Sequence, residues 1–218
     1  MTIKNLLLAY SGEAAFANSL AHAIRLARYH DAWLTAIMRN GPSYIDRFGG
    51  GLTAQLRSQL RDIEELDVQK AVAGFNSAVQ AAGLEERAEF LSPQQTGEML
   101  PSEIARHYDM VITGFPSDLA GEEHHVVSPD LIALHSGRPV VVVPQDYNST
   151  QLADHVLVAW DGKRSAARAL GDSIGILEGK RRATILTIGK TPPEEPGDGG
   201  VLRLLERHGI AARHVHKT

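Results

Sequence analysis

The 218-residue sequence contains no cysteine, which excludes disulfide bonds and metal sites built on thiolates. Aromatic residues are scarce at 6%, and the apolar run at residues 3–10 is too short for a signal peptide or a membrane span. A net charge of -4 gives no reason to expect nucleic acid or an anionic membrane as the main partner. Together these absences predict a globular protein of the reducing cytoplasm.

Short apolar segments alternate with amphipathic stretches through residues 1–145, and this alternation predicts right-handed βαβ crossovers. The predicted strands are IKNLLLAY, AWLTAIM, RAEFLS, DMVITG and PVVVVP. The predicted helices include residues 52–82, 96–107 and 129–135. We therefore predict an α/β fold, a doubly wound parallel sheet of five strands in the order 3-2-1-4-5.

The beginning of this pattern recurs later in the chain. LLLAYSGEAAFANSLAHAIRLA aligns with VLVAWDGKRSAARALGDSIGIL at a constant offset, which places Ala9 on Ala159 and Gly12 on Gly162. After a shift of about one residue, AWLTAI falls on ATILTI. The repetition predicts a complete domain at 1–145, a linker at 146–154 and a partial second copy at 155–218. The partial copy leaves an open sheet edge, which we expect another chain or a further segment to cover.

With this organisation the chain resembles the universal stress proteins, in a tandem form whose second unit is incomplete. The resemblance is carried by LLLAYSGE and VLVAWDGK, by the long helix after the second strand, and by YDMVITG followed by SGRPVVVVP. It implies an adenine nucleotide alpha hydrolase-like fold, a role in the stress response, and a homodimer formed through sheet edges. A further protein partner of unknown identity is also compatible with it.

Many members of that family bind ATP through a loop of the form G-x2-G-x9-G-[ST]. Its glycines let the backbone approach phosphate oxygens, and its amides and the following helix N-terminus supply positive partial charge. On this sequence Gly114 holds the first glycine and Ser128 the final hydroxyl, whereas Ser117 and Val127 replace the second and third glycines. The acids Asp118, Glu122 and Glu123, between those positions, would repel a triphosphate.

The family's acid at the end of the first strand is also replaced, since Ser11 stands there. The second copy has that acid, Asp161, but the chain ends before the position of its phosphate loop. The resemblance therefore implies a degenerate nucleotide site in the first domain, with ATP as the implied cofactor. The residues implied to bind it are Ser11, Ile37, Gly114, Ser117 and Ser128.

Other constellations favour structural interpretations. SGEAAF is similar to the S-G-G-x-D-S turn of the ATP pyrophosphatases, but Glu13 replaces the second glycine and aims the wrong charge at a pyrophosphate. The histidines and acids of GEEHH and RHVHKT have side chains that could bind zinc, yet a solvated loop and an ordinary exposed strand face are the favoured interpretations. No serine, histidine and acid arrangement forms a catalytic set.

Three hypotheses remain open at this point. The first is a universal stress protein-like binding or regulatory protein with a degenerate nucleotide site and no catalysis of its own. The second is an ATP-binding member with slow hydrolysis or a nucleotide-dependent switch. The third is a binder of a smaller anion in the same crevice, with Ser117 and Ser128 as donors. Val127 and the loop acids favour the first, whereas Gly114 and Ser128 favour the second.

Overall fold

The computed structural model describes residues 3–39, 53–115, 128–178, 180, 182–189 and 200–217. The chain divides into two compact units, a first unit of Ile3–Ser149 and a second unit that includes Thr150–Thr218. Across the described ranges, no helix combines the length and the apolar character needed to cross a membrane.

The first unit is built on a five-stranded parallel sheet in the order β3-β2-β1-β4-β5. Its strands are β1 Asn5–Ala9, β2 Trp33–Ile37, β3 Ala88–Leu91, β4 Met110–Gly114 and β5 Val140–Val143. This order confirms the doubly wound sheet predicted from the sequence. It also places the carboxyl ends of the two central strands, β1 and β4, side by side at the point where the strand order reverses.

The helices of the first unit are α1 Glu13–His30, α2 Ala54–Ala82, α3 Pro93–Thr96, α4 Pro101–Ile104 and α5 Pro129–Ser136. The long helix α2 has clear signals at both ends. The Thr53 side chain accepts a hydrogen bond from the Leu56 N–H at 3.2 Å, and Gly83 ends the helix with a left-handed φ of 66°. These signals define the two ends of a single helix of 29 residues.

The continuous helix predicted over residues 96–107 is wrong. The structure has two single turns, α3 and α4, followed by a 3-10 turn at Ala105–His107. Gly97 ends α3 with a positive φ of 58°, a conformation that other residues rarely adopt, and Pro101 starts α4 without needing an N–H partner. The apolar spacing matched one helix, but these two residues divide it.

The central strand β1 of the first unit is buried on both faces. Leu7, on one face, belongs to a core cluster with Ile104 of α4 and Ile132 of α5. Leu6 and Leu8, on the other face, are also fully buried. A strand covered on both sides has no polar face, which is why β1 reads as an unbroken apolar run in the sequence.

The second unit has a three-stranded parallel sheet in the order β6-β7-β8. Its elements are β6 His155–Ala159, α6 Arg164–Leu177, β7 Arg182–Ile188, α7 Gly200–Arg207 and β8 Ala212–Lys217. The core joins side chains of α6 and α7 to one face of the sheet, including Leu205 and Ile185, which are both fully buried. Strand β6 lies at an edge of this sheet, and its Leu157 is 62% exposed.

Strand pairing gives the correspondence between the two sheets. In the first, Leu7 pairs with Thr35; in the second, Leu157 pairs with Thr184. The predicted one-residue shift, which set Thr35 against Leu186, is therefore wrong by two residues. A slip of two leaves every side chain on the same face, so the apolar pattern could not detect it.

Candidate functional site

The candidate site lies where β1 and β4 end, because parallel strands bring their carboxyl ends to one edge of the sheet. Ser11 comes two residues after the last residue of β1, and Gly114 is the last residue of β4. The helix α1 begins at residue 13. Its first turn is therefore next to both strand ends.

Ser11 and Gly114 are in direct contact. The Ser11 hydroxyl oxygen accepts a hydrogen bond from the Gly114 N–H at 2.9 Å, and the Ser11 side chain is fully buried. Because this N–H group already has an acceptor, it is not free to donate to a phosphate. The structure therefore brings two predicted site residues together, but in a bond with each other.

Gly114 is a glycine for reasons of space. An added Cβ would lie 2.4 Å from the Ser11 hydroxyl oxygen, 2.6 Å from the Ala15 Cβ and 3.0 Å from the Ala15 carbonyl oxygen. Distances this short are far below ordinary van der Waals contact. The close approach of α1 to the end of β4 requires glycine at this position, whether or not a ligand binds.

Ile37, predicted on the adenosine side of the site, is part of the core. Its side chain is 1% exposed and packs in the cluster with Ala9 and Val111. Its carbonyl oxygen accepts a hydrogen bond from the Tyr10 N–H at 2.9 Å. Ile37 therefore joins β2 to the residue that precedes Ser11, and its backbone acceptor already has a partner.

Ser128 stands immediately before α5 and donates its hydroxyl hydrogen to the Asp130 carboxylate. That hydrogen bond is the main reason why the pKa of Asp130 lies below its ordinary value of 3.8. The N-terminus of a helix favours a negative charge. Here the chain supplies one itself, because Asp130 lies in the first turn of α5.

The remaining loop positions, Ser117, Gly121 and Val127, lie outside the described residues, and so does the GEEHH segment. Among the described contacts, no hydrogen bond joins Ile37 or Ser128 to the pair formed by Ser11 and Gly114.

Two residues that shape the site were missed in the sequence, Ala15 and Asp130. A signal existed for Asp130, which follows Ser128 by two residues in the order Ser-Pro-Asp, within one helical turn. None existed for Ala15, because its role depends on how closely α1 approaches β4.

The corresponding strand ends of the second unit also have internal partners. An Asp161 carboxylate oxygen accepts a hydrogen bond from the Lys163 N–H at 2.9 Å. His214 Nε2 lies 2.9 Å from the Thr187 hydroxyl, and His216 Nε2 lies 2.7 Å from the Gly189 carbonyl oxygen. Within the residues that the structure describes, no group of three histidines and acids is placed to hold a metal ion.

We expect Ser11→Ala to lower the free energy of unfolding by about 1–2 kcal/mol, because it leaves the buried Gly114 N–H without its acceptor. Ser19→Ala is the matched control. Ser19 is equally buried, but its hydroxyl only donates to the Ala15 and Phe16 carbonyls of its own helix. That control should change stability by less than about 0.5 kcal/mol in denaturant unfolding. Equal effects of the two substitutions would contradict the role given to Ser11.

The sheet order, the reversal point and the close-packed start of α1 define an open doubly wound α/β protein. More narrowly, the chain has the universal stress protein fold. A universal stress protein from Archaeoglobus fulgidus DSM 4304 has a crystal structure that matches 97% of this chain and 76% of its own, with 15% sequence identity and a TM-score of 0.58.

The shorter matches among solved structures include two further universal stress proteins. A universal stress protein in complex with cAMP has 18% identity and a TM-score of 0.45, over 66% of this chain and 98% of its own. The universal stress protein UspA from Lactobacillus plantarum has 18% identity and a TM-score of 0.42, over 66% and 99%. No protein-family model and no curated protein sequence matches the chain. The likeness is one of fold, so the binding residues must be judged on the geometry of this chain.

Proposed function

We propose that this chain is a universal stress protein-like binding or regulatory protein of the stress response, whose nucleotide site in the first unit is degenerate. The fold supports the class, because its reversal point is where such sheets bind ligands. The observation that supports a degenerate site is the hydrogen bond from the Gly114 N–H to the Ser11 hydroxyl, which occupies a backbone donor at the end of β4.

The electrostatics support the same proposal. The Ser128 hydroxyl, a predicted phosphate donor, already donates to Asp130, and the pKa of Asp130 is lowered, so its carboxylate is negative at neutral pH. A phosphate approaching the start of α5 would meet this negative charge. Both predicted donors that the structure describes in this loop are therefore engaged by partners within the chain.

We also propose self-association through the exposed edge of the first sheet. Strand β5 is the last in the strand order, and its Val142 is 37% exposed. Leu134, on the preceding helix α5, is 74% exposed. An edge strand with exposed apolar side chains is a template for pairing with another strand. The molar mass in solution, measured by light scattering, tests whether the chain forms a homodimer.

The nucleotide proposal is tested by thermal unfolding of the purified chain with Mg-ATP, AMP or inorganic phosphate at millimolar concentration. A ligand that binds only the folded state stabilises it by about 2.7 kcal/mol at a hundred times its dissociation constant. We expect no rise of the midpoint with Mg-ATP beyond the rise with phosphate alone. An ATP-specific rise that disappears in Ser128→Ala would instead support the alternative, an ATP-binding member with slow hydrolysis or a nucleotide-dependent switch.

A further inference from the structure

The second unit contains a cavity of about 320 Å³ at the amino ends of its strands. The residues that line it are His155, Arg182, Ala183, Thr184, Ala211, Ala212 and Arg213. Two arginines, a histidine and a hydroxyl therefore meet in one cavity.

Strand register places the polar lining residues on one face of the sheet. His155 pairs with Arg182, and Thr184 pairs with Arg213. Because side chains alternate along a strand, Arg182 and Thr184 point to the same side, opposite Ala183 and Ile185 of the core. The convergence is therefore a consequence of how β6, β7 and β8 pair.

Thr184 holds two of the polar lining side chains, His155 and Arg213, in place. It is only 5% exposed, and its hydroxyl oxygen lies 2.8 Å from His155 Nε2. Arg213 Nε donates to the same oxygen at 3.3 Å. Because only Nε of Arg213 takes part in this bond, its two terminal nitrogens are not needed to anchor the side chain.

Carboxylates do not neutralise the cavity arginines in the described part of the chain, where no ion pair includes Arg182 or Arg213. Asp154 directly precedes His155 in the sequence, and its backbone carbonyl oxygen accepts a hydrogen bond from the Arg182 N–H at 3.2 Å. The charge of Asp154 acts on Lys180, whose pKa is lowered by burial and raised in part by that carboxylate.

The first unit shows that this positive charge is not required by the fold. By strand pairing, the positions of His155, Arg182, Thr184 and Arg213 correspond to Asn5, Trp33, Thr35 and Glu89. The threonine is the same in both sheets, and in the first it donates to the Glu89 carboxylate at 3.2 Å. The same framework therefore carries a neutral and acidic set in one unit and a basic set in the other.

We propose that this cavity, named the strand-start cavity, binds a phosphate-type dianion. Guanidinium groups match the oxygens of a phosphoryl group in geometry and charge, and the imidazole adds a further polar group to the lining. A volume of about 320 Å³ is in the range of small-molecule sites, so it admits a phosphoryl group with a small organic part. Free phosphate and a small phosphomonoester share this chemistry.

The test is a titration of the 218-residue chain with sodium phosphate at constant ionic strength, followed through the imidazole NMR signals of His155. His155→Gln assigns those signals by their loss. We expect a saturable shift in the wild-type chain. Arg213→Glu should weaken binding by at least about tenfold, because it removes one charged donor and introduces a like charge. This variant recreates the threonine and glutamate pair of the first sheet, and Arg213→Gln is the second variant should the glutamate disturb folding.

Arg203→Glu is the matched control, since it makes the same charge change at an exposed position of α7 outside the cavity. It should leave phosphate binding unchanged. A linear shift without saturation, or equal weakening by Arg203→Glu and Arg213→Glu, would overturn the proposal, because either result means general attraction of anions. A second arm repeats the titration with glycerol 3-phosphate. Tighter binding than phosphate identifies an organic phosphate as the occupant, and binding of phosphate alone identifies the free ion.

Discussion

Gly114→Ala is expected to lower the free energy of unfolding of the first unit by about 3 kcal/mol. The new methyl group would lie 2.4 Å from the Ser11 hydroxyl oxygen and 2.6 Å from the Ala15 Cβ. Neither neighbour can rotate out of the way, because Ala15 belongs to the first turn of α1 and Ser11 is fully buried. Helix α1 must therefore move away from β4, which loosens the packing on both. Denaturant unfolding followed by circular dichroism measures the loss.

Gly74→Ala is the matched control for this prediction. Gly74 lies inside α2, and an added Cβ would meet no atom within 4 Å. The same substitution should therefore raise stability there, by about 0.5–1 kcal/mol, because alanine favours the helix. If Gly114→Ala were also neutral or stabilising, α1 would not approach β4 as closely as the structure shows. Phosphate binding would then be the better explanation for glycine at position 114.

The order of the first sheet could be predicted because its central strands β1, β2 and β4 are covered on both faces. Burial of that kind produces apolar runs that stand out against the amphipathic helices between them. The structure of the connection from β3 to β4 was harder to predict from the sequence. There the apolar positions fit a single helix, and only Gly97 and Pro101 show that the chain changes direction. Local backbone conformation, which side-chain periodicity does not report, decided the outcome.

The location of the candidate site could also be predicted, but the bonds inside it could not. The parallel sheet requires Ser11 and Gly114 to lie near each other, since they follow adjacent strands. Whether the Gly114 N–H points to a ligand or to Ser11 depends on the distance between α1 and β4. That distance is set by the tertiary packing of small residues such as Ala15, and no motif encodes it.

Comparison of the two sheets distinguishes the residues that the framework needs from the residues that give a site its charge. Thr35 and Thr184 occupy the same position, and each bonds to the residue opposite it on the next strand, Glu89 or Arg213. The shared threonine indicates a structural role for the hydroxyl. The exchange of acid for base around it changes charge without changing the framework, and that is the kind of difference expected of a binding specificity.

Phe75→Ala is expected to destabilise the first unit by about 3–5 kcal/mol. Phe75 lies in the second half of α2, is 1% exposed, and meets Phe90 of β3 edge to face with ring centroids 5.6 Å apart. Removing the ring takes away its buried area and leaves a cavity beside Phe90, which the backbone of a long helix cannot close. The chain has one tryptophan in each unit, so Trp33 fluorescence in a Trp160→Phe background reports on the first unit alone.

Ile63→Ala provides the comparison, because Ile63 lies on the same helix but is 48% exposed. Its loss should change stability by no more than about 0.5 kcal/mol. The contrast tests how α2 is anchored, since its buried residues Ala71, Phe75 and Val79 all lie in its second half. If Ile63→Ala lowered the free energy of unfolding as much as Phe75→Ala, the first half of α2 would also be buried in solution. The surface covered would then be the apolar one formed by Ile63, Leu66 and Leu56. A large difference between the two variants would instead show that α2 is held to the sheet by its second half.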